Sequence, residues 1–80
     1  MKYVLSQRQI GKKIKELREA SGMPQRVVAG KLRVSRQFLV YLEQGKRGLT
    51  LPRLNRLATV FEVDPATIIG INGNGKRKTA

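Results

Sequence analysis

The chain lacks cysteine and histidine altogether, and only five of its 80 residues are acidic. Without thiols it can form neither a disulfide framework nor a thiolate metal site. The acids are too few and too scattered for a catalytic carboxylate pair or an oxygen-rich metal site; they are Glu16, Glu19, Glu43, Glu62 and Asp64. These absences disfavour an enzyme, and we expect neither a metal nor a cofactor.

Long apolar runs and aromatic side chains are scarce as well. No apolar run approaches the roughly 20 residues that a transmembrane helix requires, and no signal-peptide core is visible. The basic amphipathic segment 10–20 carries two acids and lacks an aromatic anchor, which disfavours membrane binding. Only four aromatic residues are spread over the chain, so no platform for stacking single-stranded bases is evident. We expect a cytoplasmic protein with no membrane partner.

Positive charge is what the sequence has in excess. Seventeen Lys and Arg residues against five acids give a net charge of +12. Such a field attracts polyanions, and nucleic acid is the commonest of them. The alternative is a cationic surface that serves only solubility. A chain of this length forms one domain with a modest core.

Cap residues and apolar periodicity predict five helices, hence an all-α, compact five-helix bundle. The residues expected to begin these helices are, in order, Ser6, Pro24, Ser35, Thr50 and Asp64. Residues 1–5 are predicted to form an N-terminal arm and residues 6–71 the folded domain. Residues 72–80 are polar, glycine-rich and basic, which predicts a flexible tail.

Helices 2 and 3 are joined by only about three residues, Arg33 to Ser35. So short a connection forces a steep crossing, which is the helix-turn-helix arrangement. Ala29 is small where the two helices face each other, and Leu39 and Leu42 point inward from helix 3. The opposite face of helix 3 must then point outward, and it carries Arg36, Gln37, Val40, Tyr41 and Gln44.

With these features the chain resembles the Cro/repressor-type helix-turn-helix domains, the Xre or lambda repressor-like family, over about residues 10–69. The matching elements are residues 10–22 (IGKKIKELREASG), Gln25, Ala29, Val34-Ser35, Leu39, Leu42-Glu43, Gly45-Lys46 and Val63-Asp64-Pro65. The resemblance implies a five-helix bundle that binds double-stranded operator DNA as a homodimer.

The resemblance also implies roles for individual residues. Arg36 and Gln37 occupy the first base-reading positions, where they would pair with guanine and adenine respectively. Val40 and Tyr41 complete the expected base-reading set. Contacts to the DNA backbone are expected from Gln25, Arg33, Ser35, Phe38, Gln44, Lys46 and Arg47. A structural salt bridge between helices 1 and 3 is expected from Arg18 and Glu43.

Three departures from the family pattern stand out. Arg33 replaces the usual glycine of the turn, which costs about 1 kcal/mol if the turn keeps a positive φ, unless the turn is reshaped. Pro24 replaces the usual Ser or Thr cap. Phe38, Val40 and Tyr41 make the outer face of helix 3 unusually apolar. They would contact thymine methyl groups or a protein partner, and Phe38 could also turn partly inward.

An apolar surplus near the C-terminal end predicts the surface of a dimer. Its members are Val60, Phe61, Ile68, Ile69 and Ile71. A symmetric dimer would place two copies of helix 3 about 34 Å apart, one turn of DNA. The alternatives are that these residues only close the core, or that Tyr3, Val4 and Leu5 of the arm form the interface.

The leading functional hypothesis is a transcriptional regulator, foremost a repressor, that binds a pseudo-palindromic operator as a homodimer. A phage regulator, an antitoxin or a restriction-modification controller would share the same fold, and a toxin or polymerase would be the protein partner. Two further classes are a protein-interaction module and a non-specific nucleic-acid binder. In the last of these, the basic tail Lys76-Arg77-Lys78 would matter as much as helix 3.

Overall fold

The computed structural model describes residues 5–70, and every regular element in that range is an α-helix. The helices are α1 (Gln7–Ala20), α2 (Gln25–Leu32), α3 (Arg36–Gln44), α4 (Leu51–Phe61) and α5 (Pro65–Ile69). The predicted all-α five-helix bundle is therefore confirmed. Residues 1–4, Ile71 and the predicted tail lie outside the described residues. Between residues 5 and 70 no helix is long and apolar enough to cross a membrane.

Each predicted helix start coincides with an N-cap. Ser6 forms a capping box with Gln9 at the start of α1. The side-chain oxygens of Ser35, Thr50 and Asp64 each accept a hydrogen bond from a backbone N–H in the first turn that follows. Pro24 is the N-cap residue of α2 and has an extended conformation. It makes no side-chain hydrogen bond to the helix, because the proline side chain has no acceptor atom.

All five helices contribute to one hydrophobic core. Its buried side chains are Ile14, Val28, Ala29, Leu32, Leu39, Leu42, Leu54, Leu57, Ala58, Phe61 and Ile68. Helix α3 packs against α1 and α2, while α5 packs against α4 and α1. Because α3 is held on two sides, only its remaining face is available for a ligand.

The core corrects the predicted dimer surface at two positions. Ile68 is fully buried and Phe61 is only 8% exposed in the single chain, so neither can present a surface to a second copy. The reason is that α4 and α5 both turn these side chains into the common core. Val60 and Ile69 are half-buried against that core, and Ile71 lies outside the described residues.

Helices α1 and α3 approach each other at Gly11. A Cβ atom added at Gly11 would lie 2.2 Å from the carbonyl oxygen of Leu42 and 2.7 Å from that of Glu43. Real Cβ contacts are never so short, so glycine is what allows the backbones to touch. This contact sets the depth at which α3 lies on the bundle.

The turn between α2 and α3 keeps the left-handed conformation that glycine usually supplies. Arg33 has φ 64° and ψ 44°, and its N–H donates to the carbonyl of Gly30 at 3.1 Å. The next N–H, that of Val34, donates to the carbonyl of Ala29 at 3.0 Å. The turn is therefore not reshaped around the arginine, and the side chain costs roughly 1–2 kcal/mol of backbone strain.

Candidate nucleic-acid interface

The outward face of α3 is where the structure concentrates polar side chains. Leu39 and Leu42 fix the orientation of the helix, because both are buried. Arg36, Gln37 and Gln44 are exposed on the other side, while Val40 and Tyr41 are half-buried between the two faces. The structure thus brings the predicted base-reading residues onto one surface, with the apolar pair at its edge.

The N-terminal turn of α3 is well suited to a negatively charged ligand. The hydroxyl of Ser35 accepts a hydrogen bond from the N–H of Phe38 at 3.0 Å, which defines the helix start. The first turn contains no acidic residue, so the positive end of the helix dipole is not neutralised by a neighbour on its own helix. Arg36 adds a full positive charge there.

The loop after α3 brings two further cations beside the same face. Gly45 ends the helix in the left-handed conformation, with φ 77°, and the side-chain amide of Gln7 donates to its carbonyl at 3.2 Å. Lys46 and Arg47 follow in the loop, and both are exposed. The ammonium nitrogen of Lys46 lies 5.9 Å from the ring centre of Tyr41, a cation–π distance. The predicted backbone-binding loop therefore adjoins the predicted reading residue.

Phe38 connects α3 with this loop and with α4. Its ring packs against the core, so the residue lies partly inward. The guanidinium carbon of Arg53 lies 4.6 Å from the ring centre, and that of Arg47 lies 5.8 Å away. Two cations thus hold the aromatic ring. The contact of Phe38 with the DNA backbone stays a prediction.

Behind the reading face, a buried ion pair joins α1 to α3 as predicted. The guanidinium of Arg18 donates to both carboxylate oxygens of Glu43, at 2.6 Å and 3.2 Å, and also to the carbonyl of Met23 at 3.4 Å. Both side chains are largely buried, with 12% and 4% exposed. The hydrogen bond to Glu43 raises the pKa of Arg18, so the arginine stays charged at any ordinary pH.

Gln25 belongs to the same network. Its side-chain nitrogen donates to the Oε1 atom of Glu43 at 3.1 Å, which ties the start of α2 to α3. A side-chain amide nitrogen carries two hydrogens, so one remains to reach a phosphate. The sequence indicated the phosphate contact but not this internal bond. The phosphate contact stays a prediction.

Two residues in and beside the interface, Arg53 and Gly11, make contacts that the sequence pattern did not reveal. Arg53 holds the ring of Phe38, and Arg56 lies one turn further along α4. The sequence did contain a signal for Arg53 and Arg56, because residues three apart on a helix share one face. Gly11 allows α1 and α3 to touch, whereas Gly30, which also lies inside a helix, has open space around it, so the sequence alone does not identify such a contact.

A pair of helices joined by a three-residue turn, with the second helix exposing Arg and Gln in its first turn, defines a helix-turn-helix protein. A family model described as "Helix-turn-helix domain" matches residues 9–68. The chain belongs to the helix-turn-helix domain family. A search of curated proteins finds no match.

Solved structures agree with this assignment. The restriction-modification controller protein C.AhdI from Aeromonas hydrophila is 27% identical, with a TM-score of 0.74, over 79% of this chain and 96% of that one. The clp gene regulator ClgR from C. glutamicum is 23% identical with a TM-score of 0.74, over 80% and 83%, which shows a shared fold.

A third similar structure is FeII HppE in complex with substrate, 25% identical with a TM-score of 0.74. The match covers 80% of this chain but only 37% of HppE. This chain is therefore comparable to one part of that longer protein. Taken together, the matches confirm the resemblance to Cro/repressor-type domains, whose fold is that of DNA-binding regulators.

Proposed function

We propose that this protein is a sequence-specific regulator of transcription, a repressor that binds double-stranded DNA by inserting α3 into the major groove. The observation that carries the proposal is the exposed first turn of α3, which presents Arg36 and Gln37 and contains no acidic residue. Gln25 at the start of α2 donates a hydrogen bond to Glu43 of α3, and Lys46 and Arg47 follow α3 in the next loop.

Each group has a task that follows from its chemistry. The planar fork of Arg36 matches the O6 and N7 atoms of guanine, and the amide of Gln37 matches adenine. Tyr41 and Val40, one turn further, present apolar surface to thymine methyl groups. Lys46 and Arg47 neutralise phosphates, which adds affinity without reading sequence.

Selection of binding sites from randomised duplex DNA tests the proposal. A preferred site should emerge, and Arg36→Ala should weaken binding to it by about 1–3 kcal/mol while changing binding to random duplex little. Lys46→Ala is the matched control, because it should weaken selected and random DNA alike. Equal losses on both DNAs for Arg36→Ala would show that Arg36 does not read bases.

The homodimer and the palindromic operator belong to the same proposal. Val60 and Ile69 support it, since both are apolar and only half-buried on α4 and α5. A selected site with two inverted halves about one DNA turn apart would support it further. Val60→Ser should shift the protein toward the monomer in sedimentation equilibrium, whereas Thr59→Ser, an exposed neighbour, should not. A monomer at micromolar concentration on a single half-site would contradict the proposal.

A controller of restriction-modification genes is a second candidate within this class. The similarity to C.AhdI favours it, because that match spans 96% of the controller. The candidate predicts that the selected site lies upstream of genes encoding a methyltransferase and a nuclease. A genomic site far from any such genes would contradict the controller role and favour a general regulator of transcription.

A further inference from the structure

A groove of about 570 Å³ opens between the turn after α2 and the first turns of α4. Its lining residues are Leu32, Arg33, Thr50, Pro52, Arg53 and Arg56. Three of these six side chains are arginines, brought together from two distant parts of the chain. We call this surface the arginine groove.

The arginines of this groove face no carboxylate among the described residues. Between residues 5 and 70 the only ion pair joins Arg18 to Glu43, and neither of these residues lines the groove. Like charges around one small groove repel each other in the isolated protein. A bound anion would relieve that repulsion, so the electrostatics of the groove favour a polyanionic ligand.

Arg33 supports the same conclusion through its backbone. It holds the left-handed conformation that glycine adopts without strain. Strained residues persist where the surrounding structure or function uses them, and the side chain of Arg33 lines this groove. A glycine at this position would avoid the strain but would leave only two arginines in the groove. The strained backbone thus carries the third guanidinium.

The arginine groove lies beside the reading helix. Arg53 lines the groove and also contacts Phe38 in the first turn of α3, at 4.6 Å from the ring centre. Arg36 and Gln37 occupy that same turn. A DNA strand that borders the base pairs contacted by Arg36 would therefore pass close to the groove.

We propose that Arg33, Arg53 and Arg56 bind backbone phosphates of the operator, next to the base pairs that α3 reads. This inference rests on the proposed DNA-binding function, and it assigns Arg53 and Arg56 a role that the reading face and its loop do not require. The interaction is independent of base sequence, because phosphates are the same at every step. It widens the footprint from α3 and its loop to the first turns of α4.

The test compares two variants that each remove one positive charge. Arg56→Gln removes a groove arginine while leaving the contact between Arg53 and Phe38 in place. Lys13→Gln is the control. Gly11 faces α3, and Lys13 lies two residues further along α1, so about 200° of helical rotation directs Lys13 away from α3. Affinity is measured at several salt concentrations by fluorescence anisotropy, on both the selected site and a random duplex. Arg53→Gln provides a second groove variant.

Removing one arginine that binds a phosphate should reduce the slope of log K against log [salt] by about 0.9. We expect this reduction for Arg56→Gln and Arg53→Gln on both DNAs, with the Lys13→Gln slope close to that of the unaltered protein. Equal slopes for groove and control variants would overturn the proposal. The proposal would also be overturned if a glutamate-rich peptide bound the groove and DNA did not displace it.

The two proposals can fail separately in this experiment. If no site is preferred over random duplex, the sequence-specific function fails, but the slopes on random duplex still decide whether the groove binds phosphate. If a preferred site exists and the slopes do not change, the groove proposal alone fails.

Discussion

The clearest prediction concerns two glycines inside helices, because a single added methyl group should have opposite effects at the two positions. Within a helix, alanine is favoured over glycine by about 0.8–1 kcal/mol. At Gly30 in α2, a new Cβ would meet no heavy atom within 4 Å. Gly30→Ala should therefore stabilise the protein by up to about 1 kcal/mol.

At Gly11 the same gain in helix propensity is outweighed by a clash. The new Cβ would lie 2.2 Å from the carbonyl oxygen of Leu42, whereas ordinary contact begins near 3.4 Å. Since the obstructing atoms are backbone, α1 and α3 must separate by about 1 Å, and overpacking of this kind costs about 1–3 kcal/mol or more. We expect Gly11→Ala to be destabilised by about 1–2 kcal/mol overall.

Thermal and urea denaturation followed by circular dichroism would measure both variants. For a domain of this size, about 1 kcal/mol corresponds to about 4–8 °C in Tm. Gly30→Ala should thus melt above the unaltered protein and Gly11→Ala below it. Operator affinity should fall for Gly11→Ala alone, because α3 is displaced. If both variants melt at higher temperature, the backbones of α1 and α3 do not touch at Gly11.

Three further predictions concern the turn, the buried network and the cap of α3. Arg33→Gly should raise the free energy of unfolding by about 0.5–1 kcal/mol, because the loss of about 1–2 kcal/mol of left-handed strain is partly offset by the greater entropy of glycine in the unfolded chain. The same variant should weaken DNA binding, so denaturation should show a gain in stability and anisotropy a loss of affinity. Glu43→Ala should destabilise by about 3 kcal/mol, since it leaves the buried Arg18 unpaired, and the double variant with Arg18→Ala should cost less than the sum of the two singles in a denaturation cycle. Additive costs would argue against coupling. Ser35→Ala should cost about 1 kcal/mol in urea denaturation, and no change would mean that the hydroxyl does not cap α3.

The helices could be predicted because their ends carry local chemical signals. The hydroxyls of Ser6, Ser35 and Thr50 and the carboxylate of Asp64 each cap a helix through atoms a few residues away. Leu39 and Leu42 are spaced to face one direction on α3, which is enough to predict which face remains outside. Such information lies within one helical turn of sequence.

Contacts between distant segments were harder to predict. The bond from Gln25 to Glu43 depends on how α2 and α3 cross, which no local pattern specifies. The predicted dimer surface wrongly included Phe61 and Ile68, because sequence does not show how much apolar area one core can bury. Arg53 reaches Phe38 only because the loop after α3 returns α4 to that position.

The division of α3 into two faces has a consequence for how this protein could acquire new targets. The helix is anchored by Leu39, Leu42 and Glu43, and by backbone contact with Gly11. None of these atoms belongs to the exposed side chains Arg36 and Gln37. Exchanging those two residues for another pair should therefore leave stability nearly unchanged, so that different operator preferences can be carried by one and the same scaffold.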